Sequence, residues 1–442
     1  MIINSFLDKI RLAGVVGAGG AGFPTHIKVS NQVHYILANG AECEPLLQVD
    51  QQLMTFYPEK IISGLKYLMQ MTQARLGIIV LKKKYRSAIG NLKKCIQPSD
   101  NIKIKSLNSF YPAGDEHQLV YQVTKRTVPE NGIPLQLNII VNNIGTLFHI
   151  HDAINDIPVT EKYLTVTGEV EYPRTFLTAI GTPIKDLLNI SRVKIRDYAV
   201  INGGPMMGKM ADVENDVVMK TTSGIIVLPS RHYLVRKKAE NINRSIKLSK
   251  TLCIQCHTCT ENCPRNCLGH NLKPHLLMKK IALGLNQINE NFSDAFLCCE
   301  CGVCGYYSCP MDLLPVKVIQ KIKSILMEKG IKPSGLNNNP KPDKLYEKRL
   351  IPTDKVISRL DLLKYVRLHA PMMKKKYEPD TVRIPLKQHI GIPAMPVVSE
   401  GQNIIKGDLI ADIPVDKTGS RIHASLSGKI THITENFIEI KK

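Results

Sequence analysis

Cys253-Ile254-Gln255-Cys256-His257-Thr258-Cys259-Thr260-Glu261-Asn262-Cys263-Pro264 and Cys298-Cys299-Glu300-Cys301-Gly302-Val303-Cys304-Gly305-Tyr306-Tyr307-Ser308-Cys309-Pro310 decide how this chain is read. Each holds three cysteines two residues apart, then a fourth followed by proline. The last gap is three residues in the first run and four in the second. Cysteines at that spacing let a tight loop wrap one face of an iron–sulfur cubane and supply three thiolates, with the fourth coming from elsewhere. Zinc also takes four thiolates, but its sites more often show two separated cysteine pairs. The spacing therefore predicts two [4Fe–4S] clusters and one-electron chemistry. Ten of the 12 cysteines fall between Cys253 and Cys309, a crowding that in a cytosolic protein points to metal rather than disulfides. Cys299 would give the wrong gap to Cys301 and is left out of the ligand set. Cys267 and Cys95 are read as small buried side chains.

The first run matches the bacterial ferredoxin pattern, and the second differs by one residue in its last gap. In two-cluster ferredoxins the fourth cysteine of each run ligates the other cluster. By that likeness Cys253, Cys256, Cys259 and Cys309 serve cluster 1, and Cys298, Cys301, Cys304 and Cys263 serve cluster 2.

Upstream, the pattern is α/β to about residue 155. Tyr35–Ala38, Leu76–Leu81 and Leu137–Asn142 are apolar runs suited to buried strands. Between the first two, Ile61, Ile62, Leu65, Leu68 and Met69 recur with helical spacing. A smaller α+β unit runs from near Tyr163 to near Pro229, with an alternating strand, a short helix over Pro183–Asn189 and a strand entering the glycine turn GGPMMG. Residues 230–250 are basic and helical in tendency. Beyond the cysteines, KGIKPSGLNNNPKPDK reads as a linker. The last stretch, from about residue 380, holds short strands broken by glycines, a small all-β module.

The chain has 442 residues, 43% of them hydrophobic, enough for several domains. Its formal charge of +21, from 59 basic and 38 acidic residues, favours acidic partners. No nucleic-acid recognition module accompanies it, so no nucleic-acid role is expected. No secretory leader and no run of the ~18 apolar residues needed to span a bilayer is evident, so a cytoplasmic protein is expected.

Four further segments carry polar chemistry: Gly17-Ala18-Gly19-Gly20-Ala21-Gly22-Phe23-Pro24-Thr25 with Lys28, Asn39-Gly40-Ala41-Glu42-Cys43-Glu44-Pro45, Tyr111-Pro112-Ala113-Gly114-Asp115-Glu116, and Val141-Asn142-Asn143-Ile144-Gly145-Thr146. Bare glycine backbone can approach a phosphate closely, with a lysine as counter-charge. In open α/β sheets, ligands bind beyond the carboxyl ends of strands, where Asn39 and Glu42 fall.

In this order the segments resemble the flavin- and NADH-binding 51-kilodalton subunit of respiratory complex I. The likeness is closer to the RnfC component of Rnf-type electron-transport complexes and to the cobalamin reductases of propanediol-utilisation microcompartments. Domain order favours the last group, because the barrel-sandwich segment comes at the end. The resemblance implies a multidomain α/β and α+β fold: an FMN/NADH-binding domain over 1–160, an SLBB β-grasp domain over 161–230, a two-cluster ferredoxin-type helical domain over 231–328, a linker over 329–379 and a barrel-sandwich hybrid β module over 380–442. It implies that Gly17, Gly19, Gly20 and Lys28 hold the FMN phosphate, with Gly114 in the same site. Asn39, Glu42, Cys43, Asn142 and Asn143 would contact the rest of the flavin, and Phe23, Glu44 and Glu116 would face the nicotinamide nucleotide. One departure stands out: Ala41 replaces an aspartate of the complex I protein.

The activity so implied is NADH-dependent electron transfer through FMN and two [4Fe–4S] clusters. The terminal acceptor would be a corrinoid kept reduced for an adenosyltransferase, in the cytoplasm or inside a bacterial microcompartment, with a shell protein as a further partner. The rival readings are the electron-input component of a membrane complex of the Rnf type and an electron donor to another soluble reductase.

Overall fold

The computed structural model describes residues 2–281, 284 and 288–442. The first unit contains α1 (Ile2–Leu12), α2 (Thr25–Lys28), β1 (Tyr35–Gly40), α3 (Val49–Phe56), α4 (Pro58–Thr72), β2 (Leu76–Lys82), α5 (Arg86–Cys95), β3 (Ile102–Leu107), β4 (Phe110–Tyr111), α6 (Glu116–Thr124), β5 (Ile139–Asn143) and α7 (Ile144–Ile154). Four strands form a parallel sheet in the order β3-β2-β1-β5. Successive strand residues face opposite sides. Ile36 and Ala38 therefore join one apolar core with helices α3, α4, α5 and α7, while Leu37 joins a second with Leu119 and Val120 of α6. Burial on both faces explains why these strands read as unbroken apolar runs.

The predicted helix is α4. Proline at its first position suits a helix start, and Ile61, Ile62, Leu65, Leu68 and Met69 are all buried. The third strand begins two residues later than expected. Pro134–Leu137 turns as a 3-10 helix and Asn138 takes a left-handed conformation before β5 can extend. From β1 the chain steps through β2 to β3, then returns to place β5 on the other side of β1. The carboxyl ends of β1 and β5 thus flank a topological switch point, the place where such sheets bind ligands.

The second unit has β6 (Glu161–Gly168), β7 (Arg174–Ala179), α8 (Ile184–Ser191), β8 (Tyr198–Asn202), β9 (Lys209–Met210) and β10 (Gly224–Pro229), in a mixed sheet ordered β7-β6-β10-β8-β9. Ile184, Leu187 and Leu188 of α8 pack against Leu164, Val200 and Ile225 of that sheet. The cysteine-rich unit is helical: α9 (Tyr233–Ala239), α10 (Ile242–Leu252), α11 (Thr258–Glu261), α12 (Pro264–Cys267), α13 (Pro274–Ile281) and α14 (Pro315–Glu328).

The stretch 329–379, expected as a linker, is held against the body of the molecule. It contributes β11 (Ile351–Pro352), which pairs antiparallel with β4, and α15 (Thr353–Arg359). Tyr346 donates its hydroxyl to Gln118 Oε1 of α6 at 2.6 Å. Ile351, Val356, Leu360 and Tyr365 share a core with Leu46, Met206 and Tyr306. The linker-like composition belongs to residues 329–344 alone; residues 350–366, LIPTDKVISRLDLLKYV, are rich in apolar side chains and supply these anchors.

The C-terminal module is built of β12 (Thr381–Pro385), β13 (Met395–Pro396), β14 (Asn403–Ile404), β15 (Leu409–Asp412), β16 (Ile422–His423), β17 (Gly428–Ile433) and β18 (Phe437–Lys441). They form two antiparallel sheets, β12-β18-β17-β14 and β13-β15-β16. Its interior is continuous with that of the first unit: Ile384, Ile410 and Ile438 belong to the same apolar cluster as Ile10 and Leu65. Lys220 pins this junction, its buried Nζ donating to the carbonyls of Gly14 and Arg421, both at 2.7 Å. Burial pushes this amine down to about 7.

At Gly64 the backbones of α4 and α7 approach so closely that an added Cβ would lie 2.1 Å from the Leu147 carbonyl oxygen. Gly64→Ala is expected to cost ~1–3 kcal/mol through overpacking, measured as a lowered Tm with normal iron content.

Candidate functional site: a glycine-walled cleft beside two thiol-ringed cavities

A cleft of about 590 Å³ opens at the carboxyl ends of β1 and β5. Every residue assigned above to the flavin or nucleotide lines it: Gly17, Gly19, Gly20, Phe23, Lys28, Asn39, Glu42, Cys43, Glu44, Gly114, Glu116, Asn142 and Asn143. The glycine loop closes on itself through Gly17 N–H to Phe23 O at 2.9 Å and is tied to α7 through Ala18 N–H to Thr146 Oγ1 at 2.9 Å. Gly20 has φ +127°, which L side chains rarely adopt. At Gly114 a Cβ would stand 3.2 Å from Cys43 Sγ, a tight contact that would press on the Cys43 side chain.

The asparagines divide their work. Asn39 donates to Gly114 O at 2.9 Å, bracing the two loops. Asn143 caps α7 by accepting from Gly145 N–H at 2.8 Å and donates to Asp50 Oδ2 at 2.7 Å. Asn142 keeps a buried Nδ2 with no partner, an unspent donor in the wall of the cleft. Buried polar groups are normally satisfied, so this orphan, together with bare glycine backbone and a lysine, fits a bound group rich in acceptors, as a flavin mononucleotide is. Lys28 is ion-paired with Glu116 at 2.7 Å.

Beneath the cleft lies a group of ionisable side chains that the sequence reading named only in part. Glu42 Oε2 accepts from Asp50 N–H at 2.8 Å. Burial, then repulsion from Asp50, raises the Glu42 carboxyl, and burial raises Asp50 as well. Lys162, on β6, donates to Ala18 O at 3.2 Å, and burial pushes it down to about 8. Cys43 is pushed up to about 12 by burial, so it is a neutral thiol. Ala41 is fully buried in the apolar cluster with Leu37 and Val80. The aspartate-to-alanine departure thus falls in the core beneath the loop.

Glu44 lines the cleft, yet both its oxygens are engaged. They accept the N–H groups of Met206 at 2.8 Å and Met207 at 2.9 Å, from the GGPMMG turn of the second unit. Met207, more than half exposed, thereby reaches the mouth of the cleft. Lys162 and Met207 escaped sequence reading because they come from a different unit. Asp50, in the first turn of α3, follows the NGAECEP segment by only a few residues, the one signal that could have marked it.

The cysteines fall into two rings. Cys253, Cys256, Cys259 and Cys309 line one small cavity. Cys263, Cys298, Cys301 and Cys304 line another, joined by Cys299. Among the described residues no three Cys, His, Asp or Glu side chains converge tightly enough for a single ion. Each quartet surrounds a small cavity instead. The loops wind through left-handed residues, with Gln255 at φ +54°, His257 at +66°, Glu300 at +59° and Gly302 at +79°. Donors already point at sulfur: Glu300 N–H to Cys298 at 3.3 Å and Leu313 N–H to Cys309 at 3.3 Å. The extra residue in the second run is taken up by a single π turn over Val303–Tyr307, where Ser308 N–H reaches back to Val303 O at 2.9 Å. A π turn absorbs one residue without ending the helix.

Cys299 and Cys301 line both the cleft and the second cavity. Tyr111 donates to Cys301 O at 2.7 Å, binding the cysteine loop to the first unit. The first cavity is bordered by Cys256, whose side chain is exposed. Cys267 is buried, its Sγ bonded to Glu261 O at 3.1 Å, whereas Cys95 is half-buried on α5 rather than enclosed.

An α/β cleft with an unspent donor beside two thiol-ringed cavities defines a flavin and iron–sulfur electron-transfer protein. Comparison with known families agrees. The Nuo51 FMN-binding domain matches residues 10–152, the 4Fe-4S dicluster domain residues 252–314, and the RnfC barrel sandwich hybrid domain residues 367–442. Cobalamin reductase PduS of Citrobacter freundii is 38% identical over 98% of this chain and 95% of its own length. Its namesake from Salmonella typhimurium is 36% identical over the same shares. A component of the Na(+)-translocating ferredoxin:NAD(+) oxidoreductase complex of Acetobacterium woodii is 34% identical over 60% of this chain and 58% of its own length. The chain belongs to the PduS cobalamin reductase family. Among the described residues no helix is long and apolar enough to cross a membrane.

The crossed grouping predicts that Cys309→Ala disturbs the cluster served by the first run and spares the other. Iron analysis and EPR spectroscopy would read this; loss of the second-run cluster alone would refute the grouping.

Proposed function

We propose that this chain oxidises NADH at the glycine-walled cleft and delivers the electrons singly to a corrinoid. The observation that carries the reading is the shared wall: Cys299 and Cys301 border both the cleft and the adjoining thiol-ringed cavity. A flavin held in the cleft would supply the change from two-electron to one-electron chemistry, and clusters held by the two cysteine quartets would supply the one-electron path. One NADH, giving two electrons and releasing one proton, would thus reduce two corrinoid cobalts by one electron each.

The residues act around that chemistry. Gly17, Gly19, Gly20 and Lys28 offer backbone donors and positive charge to the flavin phosphate. Asn142 supplies the free amide donor, with Asn39 and Asn143 holding the loops that carry it. Phe23, Glu44 and Glu116 form the nucleotide side, where Glu44 acts by holding Met207 at the mouth. Burial and the neighbouring Asp50 raise the Glu42 carboxyl, and burial raises that of Asp50. Cys298, Cys301, Cys304 and Cys263 would hold the cluster that receives electrons first. Cys253, Cys256, Cys259 and Cys309 would hold the outer one. Cys256 is exposed and Ile254 beside it is 62% exposed, which supports electron exit there. Family membership supports a corrinoid acceptor serving an adenosyltransferase, and a microcompartment, with its shell proteins, as the setting.

Purified without oxygen, the protein is expected to hold eight irons, eight sulfides and one FMN, to bleach on adding NADH, and to reduce corrinoid cobalt without membranes. Full cofactor content with no corrinoid reduction would sink the proposed acceptor. Co-purification with hydrophobic proteins would favour the Rnf-type role. Lys28→Ala should weaken FMN retention about tenfold, the worth of one charge-assisted contact, with iron content unchanged. Flavin affinity equal to the unaltered protein would remove Lys28 from the site.

A further inference from the structure

Arg265 follows the Cys263-Pro264 step and lines the cavity ringed by Cys263, Cys298, Cys301 and Cys304. It is only 8% exposed. Its Nη2 is bound to Asp115 Oδ2 at 2.8 Å, while its Nη1 is buried with no partner at all. Asp115 in turn belongs to the cleft wall and caps α6, its Oδ1 accepting from His117 and Gln118 N–H at 3.1 Å each. A buried guanidinium with an idle donor is costly. Arginine cannot shed its charge to relieve that cost. The neutral isostere would pack there more cheaply, so the charge and the idle N–H call for an acceptor in the cavity.

We propose that Arg265 sets the reduction potential of the cluster held by Cys263, Cys298, Cys301 and Cys304, with Asp115 as its counterweight on the cleft side. This rests on the iron–sulfur reading above. Adding an electron makes a cluster more negative, so a nearby positive charge and a hydrogen bond to sulfur both favour the reduced form and raise the potential. Asp115 opposes that effect and couples it to the cleft. The pair therefore stands between the electron's entry and its first stop. A potential raised there favours transfer out of the cleft, and the counterweight keeps the outward step from becoming uphill.

The test is an anaerobic redox titration followed by EPR, on the full chain with its cofactors, with the signals assigned through Cys304→Ser. Arg265→Gln should lower the midpoint potential of the second-run cluster and leave the outer one in place. Asp115→Asn, which preserves the helix cap, should move the same cluster upward. Arg265→Lys should fall between Arg265→Gln and the unaltered protein. Opposite shifts from two neutral substitutions cannot come from loosened packing. If Arg265→Gln loses iron, the Asp115→Asn and Arg265→Lys pair decides alone. Unmoved potentials in variants with full iron, or a shift confined to the outer cluster, would overturn the assignment of Arg265. Absence of two cluster signals in the unaltered protein would instead overturn the iron–sulfur reading itself.

Discussion

The half-buried carboxylate of Glu44 is the contact on which the arrangement of the site depends. An ionised carboxylate away from water is expensive unless donors surround it. Burial raises this one, and the Met206 N–H, the Lys238 charge and the Met207 N–H offset part of that rise. Those donors belong to the second unit, while Glu44 ends the loop after β1. The turn can come this close because Gly204 has no side chain; a Cβ there would meet Glu44 Oε2 at 2.1 Å. Tyr111, within 3.4 Å of Glu44, spends its proton on Cys301 O in the cysteine loop. Three units are thereby locked at a single seam. Electron transfer needs that rigidity, because each hop depends on cofactors held at fixed separation.

Other contacts extend the same logic. Gln118 of α6 donates to Pro264 O at 2.8 Å, immediately after a cysteine of the second ring. Lys220 joins the segment just before the glycine loop to the C-terminal module through the Gly14 and Arg421 carbonyls, and Ile390 N–H donates to Gly22 O of the loop itself at 3.1 Å. The barrel-sandwich module, added at the far end of the chain, thus backs the loop that opens it. Residues 329–379 do similar service between the cysteine unit and the first, through Tyr346 and β11.

Much of the site was legible because its chemistry demands particular residues at particular spacings. Two cysteine triplets with a trailing Cys-Pro leave little freedom in what they bind. The glycine loop and NGAECEP segment declare backbone exposed at strand ends. What escaped is instructive. Asp50, Lys162, Met207 and Arg265 are ordinary residues in their local contexts. Each gains its role from what the fold places opposite it. Ala41, inside one of the cleft loops, is buried in the hydrophobic core.

The sequence by itself determined the strands and main helices of the first unit, the two-cluster character of the cysteine unit and the glycine, asparagine and acidic segments that line part of the cleft. Apolar period and motif spacing are local properties that survive without knowledge of partners. Only the tertiary structure decided that Glu44 latches a distant turn, that the extra residue before Cys309 becomes a π turn, and that the presumed linker is packed. It also decided that one cysteine loop borders both the cleft and a cluster cavity. These outcomes depend on burial and on hydrogen-bond partners from far along the chain, and no local pattern encodes who those partners are.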